Sequence, residues 1–322
     1  MRQSGGDTRA TKATSGGGGK RREPNGGPGA SKPEPAWPPA ATAPPEPGLH
    51  LVATPIGNLG DVSLRGLAVL RGADRIYCED TRVTARLLAR YGIKTPLETY
   101  HDHNAERVRP AVLAALRRGE RVALVSDAGT PLVCDPGYKL VRAALAEGLP
   151  VTTAPGASAA LTALTLSGLP PDRFLFAGFL PRQRPARRQA LAGWATLDAT
   201  LIFYEAPPRL AAALADMAEI LGRRPAAVAR ELTKLHEEVR RGPLAGLAEH
   251  YRASGPPRGE TVVVVGPPEP AAAPADADLE VLLRAAVAKL GVKEAAARLA
   301  AETGLPRRVL YRRAVALRDG MA

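Results

Sequence analysis

The chain has 322 residues, a formal net charge of +12 and an apolar content of 45%, enough for two or three domains with real cores. Its two cysteines, Cys78 and Cys134, stand far apart in no CxxC pair, which excludes a disulfide framework or a zinc knuckle, and no apolar run reaches the roughly 18 residues of a membrane span. The basic balance points to a polyanionic partner, because Lys and Arg neutralise phosphates and release counterions. Only +3 of the net charge lies in residues 1–48. The basic N-terminus lacks an apolar stretch after it, so a secretory signal is not expected and a cytoplasmic, reduced protein is.

Residues 1–48 are Gly, Pro, Ala, Ser and Thr with scattered charge, a composition that cannot offset its ordering entropy, and a disordered tail is expected there. "GGGGKR" at 16–21 lacks the Ser or Thr that a phosphate loop needs after its lysine. From residue 49 the pattern alternates. "LHLVATP" predicts a strand, "SLRGLAVLRGA" a helix with Ser63 as N-cap, "DRIYCE" a strand and "TRVTARLLARYG" a helix closed by Gly92. "PLETYH", "RVALVSD" and "PVTTAPG" predict three more strands, each followed by a helix. Such alternation argues an α/β layer with a mostly parallel sheet over 49–167. A second α/β unit is expected over 168–267, with four strands and two helices. A linker follows at 268–276, then three short helices over 277–322.

Several stretches carry candidate chemistry. "TPIGNLGD" at 54–61 places glycines at a strand end, where a backbone can approach a ligand, although a structural turn reads equally well. It is not GxGxxG. "SDAGTP" sets Asp127 directly after an apolar strand; Ala128 and Gly129 leave room, Thr130 offers a hydroxyl and Pro131 fixes the turn. "APGAS" at 154–158 repeats the theme at the next strand end. Two such turns favour a shared ligand site, against tight βα turns with Asp127 in an Asx-turn. "CEDTR" at 78–82 and "HDHN" at 101–104 are dense polar clusters, suited to a nucleic-acid backbone, a hydroxyl proton or plain capping. His101 and His103 would share one face of an extended segment, but a third ligand is missing, so no metal is expected. "HEEVR" at 236–240 lacks the second histidine of HExxH. On the last helix, Arg307, Arg308, Arg312 and Arg313 cover a broad face, with Tyr311 available to stack on a base; a solvated surface helix is the other reading.

Taken in order, "TPIGNLGD", "EDTR", "HDHN", "LVSDAGTPLVCDPGY", "PGASA", "GLPPDRFLFAGFLP", "LIFYEAPPRL" and "ARELTKLHEE" resemble the RsmI family. Its members are bacterial cytidine 2′-O-methyltransferases of small-subunit ribosomal RNA, within the tetrapyrrole methylase superfamily. The resemblance covers about 49–266, and the last 45 residues are similar to the family's C-terminal helical domain. It implies two α/β domains of non-Rossmann type with S-adenosylmethionine (SAM) in the cleft between them, and a homodimer. It implies cofactor contacts from Pro55, Gly57, Asp127, Gly129, Thr130, Pro131, Pro155 and Gly156, with Phe203, Tyr204 and Glu231 from the second domain. Ala157 stands where the family commonly has a proline, and the 48-residue tail is outside the family pattern.

The implied reaction moves a methyl group from a sulfonium to a ribose hydroxyl, and a general base must take the hydroxyl proton. Asp80, His101 and His103 are the candidates, with His103 preferred because a neutral imidazole accepts near pH 7. Arg82, Arg182, Arg187 and Arg188 suit phosphate contacts, as does the C-terminal arginine cluster. The expected partner is small-subunit rRNA or a 30S assembly intermediate, which can present a ribose outside a helix. The competing readings are a corrin or porphyrin precursor methyltransferase of the same fold and a non-catalytic RNA-binding scaffold.

Overall fold

A computed structural model of the protein describes residues 44–269 and 276–320. The expected tail, up to residue 43, and the linker at 270–275 lie outside the described residues.

In the first half, strands β1 (Gly48–Val52), β2 (Arg75–Cys78), β3 (Leu97–Thr99), β4 (Arg121–Val125) and β5 (Val151–Ala154) alternate with helices α1 (Leu64–Gly72), α2 (Thr81–Arg90), α3 (Ala105–Arg117), α4 (Tyr138–Ala146) and α5 (Ala159–Ser167). The strands form one parallel sheet in the order β3-β2-β4-β1-β5. Helix starts follow local chemistry: Ser63, Asp80 and Ser158 each accept a hydrogen bond from a backbone N–H of the first turn. Both sheet faces are covered. Val52, Ile76 and Val125 point into one apolar cluster, and Leu49, Tyr77, Val122 and Leu124 into the other. Full burial of each such side chain stabilises by about 1.5–3 kcal/mol, so continuous apolar runs are what the sheet requires.

The second half holds β6 (Phe174–Phe179), α6 (Arg184–Ala192), β7 (Thr200–Glu205), α7 (Pro207–Leu221), β8 (Pro225–Arg230), β9 (Glu238–Pro243), α8 (Leu244–Ser254) and β10 (Thr261–Val265). Its sheet runs β6-β7-β10-β8-β9. Among its strands β6 and β7 pair in parallel, whereas β10 is antiparallel to β7 and β8, and β9 to β8. This mixed sheet differs from the mostly parallel layer of the first half. Strand β9 and helix α8 are additions to the sequence reading. With Glu238, Arg240 and Arg241 in six residues, β9 carries an edge strand's charge rather than an apolar alternation.

Helix α5 joins the halves. Its small apolar face (Ala160, Ala163, Leu164) packs with Ile56 against Ile202, Ala229, Val262 and Val264 of the second sheet. In the C-terminal segment α9 (Asp276–Leu290), α10 (Val292–Thr303) and α11 (Arg307–Asp319) close a core of their own from Leu279, Leu283, Leu299, Leu310 and Ala314.

Candidate active site

The chain leaves β1 and β4, which are neighbours, in opposite directions: towards β2 on one side and towards β5 on the other. Such a divergence opens a crevice at the carboxyl ends of the strands. A cavity of about 380 Å³ lies there, within the usual range for a small-molecule site. One wall is Ile56, residues 128–130 and 133–135, and the start of α5; the other is Phe179, residues 204–207, Ala229, Leu232 and residues 259–262.

Backbone hydrogen bonds shape the first wall. Thr54 and Gly129 exchange two, at 2.9 and 3.0 Å, and the Ser126 hydroxyl donates to the Gly129 carbonyl at 3.0 Å. The Thr130 hydroxyl donates to the Ala157 carbonyl at 3.1 Å. The three small-residue turns are thus one stitched unit. Gly129 has φ +86°, a backbone that favours glycine. At Gly156 an added Cβ would stand 3.0 Å from the Ala53 Cβ, so that turn is tightly packed.

Of the residues expected to hold a cofactor, Gly129, Thr130 and Tyr204 line the cavity. Pro55 and Pro131 are buried and Pro155 and Gly156 exposed in the same stitched turns, outside the lining. Asp127 points towards β2: its carboxylate accepts the Asp80 backbone N–H at 2.9 Å. Phe203 is fully buried in the core behind the sheet, tilted against Trp194. Glu231 accepts from the Lys234 ammonium at 2.8 Å and the Glu260 N–H at 3.1 Å. Lys234 also pairs with Glu260, and its stem lies where a Cβ on Gly57 would be, while the Thr233 hydroxyl accepts the Asn58 N–H at 3.1 Å. Gly57 and Glu231 therefore belong to a clasp between the two walls. Glu231 (φ 48°) and Thr233 (φ 65°) carry left-handed backbone in this clasp, a strained conformation for a β-branched residue.

The candidate bases are placed apart from the cavity. Asp80 caps α2 and is gripped by Arg82 at 2.6 Å; the Arg82 hydrogen bonds hold its carboxyl down at about 2. His101 and His103 sit after β3, the sheet edge, with ring centroids 6.0 Å apart. His103 is exposed, and His101 Nδ1 is buried without a hydrogen-bond partner. Among the described residues no group of three or more His, Cys, Asp or Glu side chains is arranged to hold a metal ion.

The charged side chains of the lining are all acidic: Asp135, Glu205 and Glu260. Glu205 is buried, pairs with Arg209 at 3.1 Å and accepts the Ala206 N–H. Burial pushes its carboxyl up. Asp135, which the sequence reading passed over, has its carboxyl pushed up to about 6, first by burial, then by the Glu79 charge, with Asp127 adding and the Ser126 hydroxyl opposing. Its signal was present as the "DPG" that closes the stretch 123–137.

Among the arginines expected at RNA, Arg187 is buried and bound to Asp216 of α7 at 2.6 Å. Arg188 pairs with Glu219 and Asp216, and Arg184 with Asp216 at 3.0 Å. These side chains hold α6 to α7, because a buried Asp216 carboxylate requires cations. Arg182 is exposed, as are Arg307, Arg308 and Arg312; Arg313 pairs with Asp276.

Comparison with known proteins fixes the class. The family model described as Tetrapyrrole (Corrin/Porphyrin) Methylases matches residues 48–248, and that described as RsmI C-terminal HTH domain matches residues 273–318. Solved structures share the first fold. Cobalt precorrin-4 methyltransferase CbiF superposes with TM-score 0.53 at 18% identity, over 68% of this chain and 94% of that one. Diphthine synthase superposes with TM-score 0.53 at 18% identity, over 68% and 89%. Curated relatives named Ribosomal RNA small subunit methyltransferase I match more closely. That of Mesorhizobium japonicum is 52% identical over 86% of this chain and 94% of its own length; that of Erythrobacter litoralis is 56% identical over 85% and 97%. The chain belongs to the ribosomal RNA small subunit methyltransferase I family, within the tetrapyrrole methylases. Among the described residues no helix is long and apolar enough to cross a membrane.

Proposed function

We propose that the protein transfers a methyl group from SAM to the 2′-hydroxyl of a cytidine in small-subunit ribosomal RNA, acting as a cytoplasmic homodimer on the RNA or on a 30S assembly intermediate. The observation that carries this reading is identity above 50% to relatives of that name over more than four-fifths of the chain. The cavity supports it. Its volume suits a nucleoside-sized ligand, its small-residue turns admit one closely, and its carboxylates favour a cation. Gly129, Thr130, Tyr204 and the 259–262 segment would hold the cofactor, whose sulfonium supplies an activated methyl group. A site closed to water favours loss of that charge as the reaction proceeds. Charge is divided to match the two ligands: acid inside for the cationic donor, exposed Arg182, Arg308 and Arg312 outside for phosphates. The C-terminal helical domain, with exposed Tyr311, adds an RNA anchor that a porphyrinogen enzyme would not use.

The test is to map ribose methylation in small-subunit RNA from cells with and without the gene, and to follow methyl transfer from labelled SAM to 30S particles with purified protein. Loss of one cytidine 2′-O-methyl mark in the deletion supports the reading. An unchanged methylation map refutes it. Absence of SAM binding by calorimetry would point to the scaffold instead.

A further inference from the structure

We propose that Asp135 is the general base of the reaction, the group that takes the ribose hydroxyl proton as the methyl group arrives. This rests on the methyltransferase reading above. Three observations converge on it. First, Asp135 lines the cavity, whereas Asp80, His101 and His103 do not. Second, it is the uncommitted carboxylate of the lining: Glu205 is paired with Arg209 and Glu260 with Lys234, while Asp135 makes no ion pair among the described residues. Third, the loop that carries it is held in an unusual backbone. Leu132 and Cys134 have φ of 71° and 67°, and Gly137 has φ 128°, with Leu132 and Leu124 filling the space a side chain there would need. Non-glycine residues in this region persist only where packing over-determines them, and they gather at functional sites. Across the cavity Gly178 packs against Cys134, and Phe179, more than half exposed, flanks the same end.

The groups facing Asp135 tune it. Glu79 comes from the end of β2, Asp127 and the Ser126 hydroxyl from the end of β4, and Cys134 from its own loop; Tyr204 faces it from β7. Behind Glu79 stand Asp102 and His101. Burial, with the surrounding negative charge adding, raises the carboxyl to about 6, which suits a base working near neutrality.

The step balances. A ribose oxygen lone pair forms the O–CH₃ bond as the S–CH₃ bond breaks, and that bonding pair stays on sulfur as a neutral thioether. The O–H pair remains on oxygen, the proton passes to the Asp135 carboxylate, and from there it leaves to solvent.

The experiment uses the full-length protein, labelled SAM and 30S particles. In Asp135→Asn, single-turnover methyl transfer at saturating SAM should fall about 10²-fold or more, beyond whatever SAM affinity the loss of the carboxylate costs by calorimetry. The wild-type rate at subsaturating SAM, which reports the free protein, should rise with pH through about 6 and level off. In Glu79→Gln the midpoint of that rise should move to lower pH, because one neighbouring charge is gone. A ¹³C titration of the Asp135 carboxyl, read without RNA, should move in parallel. The inference is overturned if Asp135→Asn keeps the wild-type rate, or if its lost rate is accounted for by lost SAM affinity. It is also overturned if the Glu79→Gln midpoint does not move. If the wild-type protein does not methylate 30S particles at all, the functional reading fails instead.

Discussion

Replacing Asp135 by Asn should make the folded protein more stable at pH 8. An acid whose folded carboxyl is raised behaves oppositely to an ion-paired aspartate. Its folded form holds a proton that the unfolded chain has already released, so its favourable contribution is present at low pH and is lost as pH rises through about 6. The rise from 3.8 to about 6 corresponds to about 3 kcal/mol in a water-free site. Asp135 is only partly buried, and screening by water in the open cavity reduces this to about 1–2 kcal/mol. Asparagine keeps the shape and removes the charge, so the variant recovers that amount above pH 6 and progressively less towards pH 4. With about 2–4 °C per kcal/mol for a chain of this size, the gain in Tm should be a few degrees at pH 8. Differential scanning calorimetry across pH 4–8 reads it. A gain that does not vary with pH, or a loss of stability at pH 8, would show that Asp135 is not held against its neighbours' charge, and the reasoning behind the site would fall with it.

Four further outcomes rest on the same geometry. Gly129→Ala forces a side chain onto φ +86° and should cost about 1 kcal/mol and weaken SAM binding, read by a urea melt and by calorimetry. Arg187→Met removes the closest partner of buried Asp216; it should cost on the order of 3 kcal/mol while leaving RNA affinity of the folded fraction unchanged. Arg308→Ala with Arg312→Ala should lower RNA affinity and reduce its salt slope by about 2, with SAM affinity intact; removing residues 276–322 should do the same more strongly.

The first sheet was legible because its central strands β1, β2 and β4 are short apolar runs and each helix has a cap or a closing glycine. The edge strand Glu238–Pro243 was not, because half of it is charged and its pairing with Pro225–Arg230 is a tertiary fact. The site divides along the same line. Gly129 and Thr130 announced themselves as a turn at a strand end. Phe203 and Tyr204 were adjacent letters with nothing in the pattern to say which faces the core, and pairing with Thr261–Val265 puts Phe203 behind the sheet and Tyr204 on the cavity side. Arg187 reads as a phosphate ligand until Asp216, 29 positions later in the chain, is seen to claim it. Asp135 was hidden because its character comes from burial in the cavity wall and from the Glu79 and Asp127 charges, which only the folded β2 and β4 ends bring near.

The acidic lining makes one more consequence unavoidable. A cation entering this cavity meets the Asp135 carboxylate and favours its ionised form, so cofactor binding must be linked to proton release wherever Asp135 is partly protonated. Near pH 6 the free protein holds this carboxyl partly protonated. Saturation with SAM should release much of that bound proton, and the product S-adenosylhomocysteine, whose sulfur is uncharged, should release less. Calorimetric titrations at pH 6 in buffers of different ionisation enthalpy measure the protons directly. At pH 8 the carboxylate is already ionised and the buffer dependence should vanish. In Asp135→Asn the buffer dependence at pH 6 should shrink sharply. Equal release for the charged and uncharged ligands would mean that the sulfonium does not sit against this carboxylate, and the base would then have to be sought on another wall of the cavity.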